Sequence, residues 1–119
     1  MNGSIIRYEE ELWELFDMSK VHLPDLAAAY YGPVKEAVYR DGALDVKTKR
    51  LMSLAIAIQA GCKTCMVSQV SKALELGATP AEICEVCSVA ISMGGTLAWS
   101  KVLVVVDYLQ ARGIIAVAP

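Results

Sequence analysis

Apolar positions along this chain recur at helical rather than strand spacing. Ile5, Ile6, Tyr8, Leu12, Leu15 and Phe16 follow three- and four-residue steps with acids on the opposite face, which predicts an amphipathic opening helix. Its Glu9-Glu10-Glu11 run reads as a solvated face. Leu23-Pro24-Asp25 opens a second segment that runs to Tyr31, where Gly32-Pro33 breaks it. A short helical turn over 34–39 precedes Arg40-Asp41-Gly42. Asp45 is placed to cap a third helix ending near Ala60. Leu51, Met52, Leu54, Ala55, Ile56 and Ile58 make that helix apolar on nearly every side, the mark of a central helix.

Gly61 ends the third helix, and a fourth is expected over 62–76 with Gly77 as its stop. Thr79-Pro80-Ala81-Glu82 combines a capping box with proline in the first helical position, which starts a fifth helix reaching about Met93. Gly94-Gly95 separates it from a sixth over 96–111, and an apolar stretch of unassigned structure follows at 113–119. No segment alternates at period two for long enough to make a strand, and no repeat or linker divides the chain. The expectation is a compact all-α, six-helix domain spanning residues 1–119.

Composition adds a second layer. Apolar residues make up 55% of the 119 positions, above the usual ~45–50%. Residues 1–50 hold sixteen of the twenty-four charged side chains, leaving eight for the rest. The distal half is too apolar to face water on all sides, so the chain is expected to bury surface against copies of itself. The longest apolar stretches, 51–62 and 86–99, fall short of the ~20 residues needed to span a membrane. Charges in the first turns argue against a signal peptide, so the expected location is cytoplasmic. A net charge of −2 without a basic block argues against nucleic-acid binding.

Four cysteines in a cytosolic chain point to redox chemistry, metal binding or burial rather than to a disulfide framework. Cys62 and Cys65 form a C-x-x-C at the first turn of a helix. That spacing sets both sulfurs on one face, close enough to bridge. Unpaired N–H groups and the positive end of the macrodipole favour a thiolate there, which is the nucleophile of thiol–disulfide exchange. Lys63 adds a positive charge between them. Both cysteines are therefore candidate catalytic residues, the alternative being two small core residues.

Cys84 and Cys87 form a second C-x-x-C, with eighteen residues between the pairs, which admits a four-thiolate zinc site. The pair falls inside a helix, where Cys87 shares a stripe with Ile83, Ala90 and Ile91. Both are therefore read as packing residues, and no metal or cofactor is assigned. His22, the only histidine, reads as a surface or capping residue, and Met52, Met66 and Met93 fit core or interface packing. No phosphate-cradling glycine loop or serine-nucleophile motif is present.

The stretch 41–49, the Gly61-Cys62-Lys63-Thr64-Cys65 motif, the 73–83 segment and the Gly94-Gly95 pair together resemble the carboxymuconolactone decarboxylase superfamily and its alkylhydroperoxidase D-like branch. The family core falls at about 42–95. The resemblance implies a compact helical fold assembling as dimers, trimers or hexamers. It also implies peroxide or disulfide reduction at the C-x-x-C, with electrons from a partner dithiol. Peroxidase members of the family carry a histidine four residues after the second cysteine and a glutamate twelve before the first, and together these relay a proton. Here those positions are Gln69 and Arg50. Gln69 accepts no proton at neutral pH, although its amide can orient a water. If Arg50 faces the pair, its fixed charge favours the thiolate electrostatically; otherwise it pairs with a surface acid.

The function expected is a thiol–disulfide oxidoreductase or an alkylhydroperoxidase-like antioxidant protein using Cys62 and Cys65, with Arg50 and Gln69 in support. The alternatives are decarboxylation of a muconolactone-type acid, or a non-enzymatic redox sensor or zinc-binding scaffold.

Overall fold

The structure, a computed structural model, describes residues 3–117, and every regular element among them is helical. Helix α1 spans Ser4–His22 and α2 spans Pro24–Ala29. A π turn, Tyr30–Val34, leads into the short α3, Lys35–Val38. Gly32-Pro33 breaks the helix as expected: Gly32 leaves helical geometry (φ −96°, ψ −107°) and a wider turn carries the chain past Pro33. Proline lacks the N–H that a tighter ladder would need.

Asp45 caps α4, Val46–Ala60, by accepting a hydrogen bond from the Thr48 N–H at 2.7 Å. Gly61, at φ 71°, takes the left-handed conformation that ends α4 and lets the chain reverse. Helix α5 spans Lys63–Glu75 and packs antiparallel to α4 as the second arm of a helical hairpin. Thr79 and Glu82 form the expected reciprocal capping box at the start of α6, Pro80–Ala111. Lys47 holds Glu82 at 3.0 Å and ties the starts of α4 and α6 together.

The six expected helices become five helical bodies among the described residues. The fifth and sixth are one helix, kinked at Gly95 (φ 65°, ψ −146°). Close packing adjoins the kink. A Cβ on Gly94 would stand 2.6 Å from both the Gln59 side-chain oxygen and the Ala98 Cβ. Gly94 thus serves close approach of α6 to α4, while Gly95 interrupts the helical geometry without ending the element. Once joined, α6 is long and apolar enough to cross a membrane by length and composition, which the shorter runs in the sequence did not indicate. Its inner stripe nevertheless faces protein: Ile83, Ala90, Val102, Val105 and Leu109 are buried against α4 and α5.

Leu54 and Ile58 of α4, and Met66, Val67 and Val70 of α5, complete the core. Helix α4 is central, as expected, yet Met52 and Ile56 on its outer side are exposed. Met66 is buried, whereas Met93 is exposed. Glu9 departs from the solvated face assigned to it. It is buried and accepts hydrogen bonds from the Tyr108 hydroxyl at 2.8 and 2.9 Å and from Arg112 at 3.2 Å. This clasp fastens α1 to the last turn of α6. Of the unassigned stretch, Ile114 and Ile115 pack against the core after a turn at Gly113; residues 118–119 lie outside the described residues.

Candidate active site

The reversal at Gly61 delivers Cys62 to the N-cap of α5. Its Sγ accepts a hydrogen bond from the Cys65 N–H at 3.2 Å and lies 3.3 Å from the Thr64 hydroxyl. Cys62 and Cys65 are joined as a disulfide across this first turn, with their Cα atoms 5.2 Å apart. Cys65 is exposed and Cys62 half-buried, so the pair is open to an entering molecule. The N–H that caps onto sulfur in the oxidised pair also stabilises the negative charge of a Cys62 thiolate once the bond opens. Lys63, between the two, sits with its ammonium 4.1 Å from the centre of the Tyr8 ring. That contact fixes α1 against the start of α5.

Arg50 and Gln69 meet. The guanidinium donates to the Gln69 side-chain oxygen at 3.2 Å and lies 3.4 Å over the Tyr39 ring. Tyr39 is held by a hydrogen bond to Ser53 on α4. Burial draws Arg50 below the usual arginine range. Lys72, also half-buried, is lowered first by burial and then by the charge of Arg50. Arg50 is therefore not tied to a surface acid by an ion pair among the described residues; its partners are an amide and an aromatic face. Gln69 stands one helical turn after Cys65, on the face of α5 that carries it. Tyr39 was not anticipated. It reaches Arg50 across the loop between α3 and α4, and no local pattern signals such a contact.

The second cysteine pair divides. Cys87 is buried, and burial, with a smaller contribution from Cys84, pushes its thiol up to about 11. Cys84 is exposed, contrary to the packing role expected of it. It lies on the outer side of α6, three residues from a buried neighbour that faces inward. Among the described residues, no three His, Cys, Asp or Glu side chains converge as a metal-binding group.

Beside Gly61 lies a cleft of about 300 Å³ between the end of α4 and the kink of α6. Ile58, Leu97 and Ala98 form its apolar wall, and Lys101 is the only charged residue that lines it. The Lys101 ammonium is 3.9 Å from the point where a Cβ on Gly61 would stand. Lys101 is the only cation between Lys72 and Arg112 and the only charged residue between Glu85 and Asp107 on α6. That isolation was the sequence signal available for it.

Comparison with known proteins agrees with this architecture. Residues 24–108 match the carboxymuconolactone decarboxylase family. An uncharacterized protein of Cupriavidus necator is 36% identical over 91 residues, covering 74% of this chain and 80% of its own length. An uncharacterized protein of the cox locus of Paracoccus denitrificans is 36% identical over 80 residues, covering 65% and 72% respectively. Among solved structures, a family protein of Legionella pneumophila superposes with a TM-score of 0.82, at 23% identity, over 90% of this chain and 95% of that one. A Thermotoga maritima protein, proposed to be involved in an antioxidative response, gives 0.68 at 27% identity over 82% and 89%.

Proposed function

Because this chain belongs to the carboxymuconolactone decarboxylase family, we propose that it is a thiol–disulfide oxidoreductase working through Cys62 and Cys65. The observation that carries this reading is the exposed sulfur pair joined across the first turn of α5. In the reduced state one cysteine thiolate attacks a substrate disulfide, forming a mixed disulfide and releasing one substrate thiolate. The other cysteine then attacks the mixed disulfide, closes the Cys62–Cys65 bond and releases the second. Two electrons pass from the protein to the substrate. A partner dithiol returns them by the same exchange in reverse.

Peroxide is the secondary oxidant in this proposal. A thiolate can attack the peroxide oxygen, lose an alkoxide and become a sulfenic acid, which the second cysteine resolves with loss of water. Gln69 and Arg50 supply no proton acceptor for that route. Arg50 instead supports the thiolate by charge, acting through its position beside Gln69. Decarboxylation is the weaker reading, since the cleft beside Gly61 offers one cation and no acid among the residues lining it. The enzyme is further proposed to act as a cytoplasmic homo-oligomer.

Thiol counting on purified protein, reduced and then given limiting disulfide or hydroperoxide, tests the proposal. Two thiols per chain should disappear, return with a dithiol donor, and cycle repeatedly. Cys62→Ser and Cys65→Ser should each stop the cycle, and the variant that traps a mixed disulfide retains the attacking sulfur. A single stoichiometric oxidation without turnover would instead identify a redox sensor.

A further inference from the structure

The geometry points to the cleft beside Gly61 as the seat of an anionic substrate group, with Lys101 as its counter-charge. The oxidant preferred by the Cys62–Cys65 pair is then a small disulfide bearing a carboxylate. This inference rests on the thiol–disulfide reading above and names the substrate class for that site.

Three observations carry it. First, the cleft abuts the turn that carries the cysteine pair. Gly61 forms part of its wall and immediately precedes Cys62, so the two Cα atoms are about 3.8 Å apart, while the cysteines themselves stand outside the lining. Second, its size suits a small molecule. About 300 Å³ falls at the low end of ligand pockets. Third, its charge is unbalanced. Lys101 is half-buried, and among the described residues it makes no hydrogen bond, ion pair or ring contact. No acid lines the cleft to neutralise it. An ammonium with no protein partner is available to an anionic ligand through a charge-assisted hydrogen bond.

The surroundings fix where that anion sits. Gly61 needs its positive φ to end α4, and its missing side chain leaves the Lys101 stem lying against the turn, with Cε 3.4 Å from the Cβ position. Gly94 is equally constrained, because Gln59, which donates to the Ala90 carbonyl, fills the space a side chain would need. The ammonium is thereby held at the turn leading into the disulfide. The proposed substrate sets its carboxylate on Lys101 and its carbon chain on Ile58, Leu97 and Ala98, with its sulfur–sulfur bond two or three carbons away toward the turn that carries Cys62. Such a substrate accepts two electrons and leaves as two mercaptocarboxylates, by the exchange already described.

The experiment compares three disulfides as oxidants of the reduced protein: dianionic 3,3′-dithiodipropionate, neutral 2-hydroxyethyl disulfide and dicationic cystamine. Rates are followed by stopped flow for the wild type, Lys101→Met, Lys101→Gln and Lys101→Arg. The wild type should prefer the dianion over the neutral disulfide by about ten- to a hundredfold, the range of one charge-assisted hydrogen bond. Lys101→Met and Lys101→Gln should erase that ratio and Lys101→Arg should keep it. In parallel, adipate, an unreactive dicarboxylate, is titrated into the oxidised protein. It should shift the amide resonances of Gly61 and Ala98 in the wild type and leave them in place in Lys101→Met. A wild-type ratio near one, a ratio unchanged in Lys101→Met, or adipate without effect on Gly61 overturns the inference. Failure of all three disulfides to oxidise the wild type overturns the parent reading instead, and the adipate titration then judges the cleft independently.

Discussion

Arg50 and Gln69 replace the two groups that relay a proton in the family's peroxidases, and here they bond to one another. A cation bonded to the residue one turn after Cys65 favours the charged form of a nearby thiol, and on the proposed mechanism it lowers the thiol pKa. Arg50→Ala should therefore raise the reactive thiol's pKa by about one unit, equivalent to about 1.4 kcal/mol, as read from thiolate absorbance during a pH titration. Equal values in both proteins would remove Arg50 from the mechanism. Tyr108 offers a second test at this scale. Burial first, and then its hydrogen bond to Glu9, pushes its phenol up to about 12 from an ordinary 10.0. A raised folded-state value means the native protein holds the proton more tightly than the unfolded chain. The resulting stabilisation is complete below about pH 10 and is lost as pH climbs toward 12. Tyr108→Phe should flatten that alkaline loss. It should also cost about 1–3 kcal/mol at neutral pH, measured by urea unfolding, because Glu9 loses its principal donor while staying buried.

Helices and their caps were legible because each announces itself locally. Asp45, Thr79-Pro80-Ala81-Glu82 and Gly61 act where their sequence positions imply, and so does the C-x-x-C at the start of α5. Features set by distant partners were not legible. Glu9 resembles its neighbours Glu10 and Glu11, and partners 99 and 103 residues away, Tyr108 and Arg112, draw it inward. The Gly94-Gly95 pair reads as a terminator because glycine usually ends helices. What the local pattern hides is the Gln59 side chain on α4, which occupies the space beside Gly94, while the chain resumes its helix directly after Gly95. Two substitutions test this explanation of α6. Gly95→Ala forces a side chain into a backbone region nearly reserved for glycine and should cost about 1–3 kcal/mol. Thr79→Ala removes one half of the capping box and should cost about 1 kcal/mol. Thermal unfolding followed by circular dichroism reads both, and a neutral Gly95→Ala would show that the kink does not depend on glycine.

At the scale of the whole molecule, the apolar surplus of the sequence reappears as surface. None of the residues from α2 through α3 is buried, although Leu26, Tyr31, Val34 and Val38 lie there. On α6, Met93 is 82% exposed and Leu97, Trp99 and Leu103 are more than half exposed. A monomer seldom leaves so much apolar area in water. Sedimentation or light scattering at micromolar concentration should therefore find a multiple of the 12.8 kDa chain, and a monodisperse monomer would contradict the proposed assembly.

The sulfur pair also bears on how the protein ages in use. Both atoms that change partner belong to a single turn, and the backbone N–H that greets the sulfur does so without help from any other element. In the proposed exchange the bonds that form and break all lie within that turn, so wear should fall on the chemistry of the two sulfurs rather than on the scaffold that carries them.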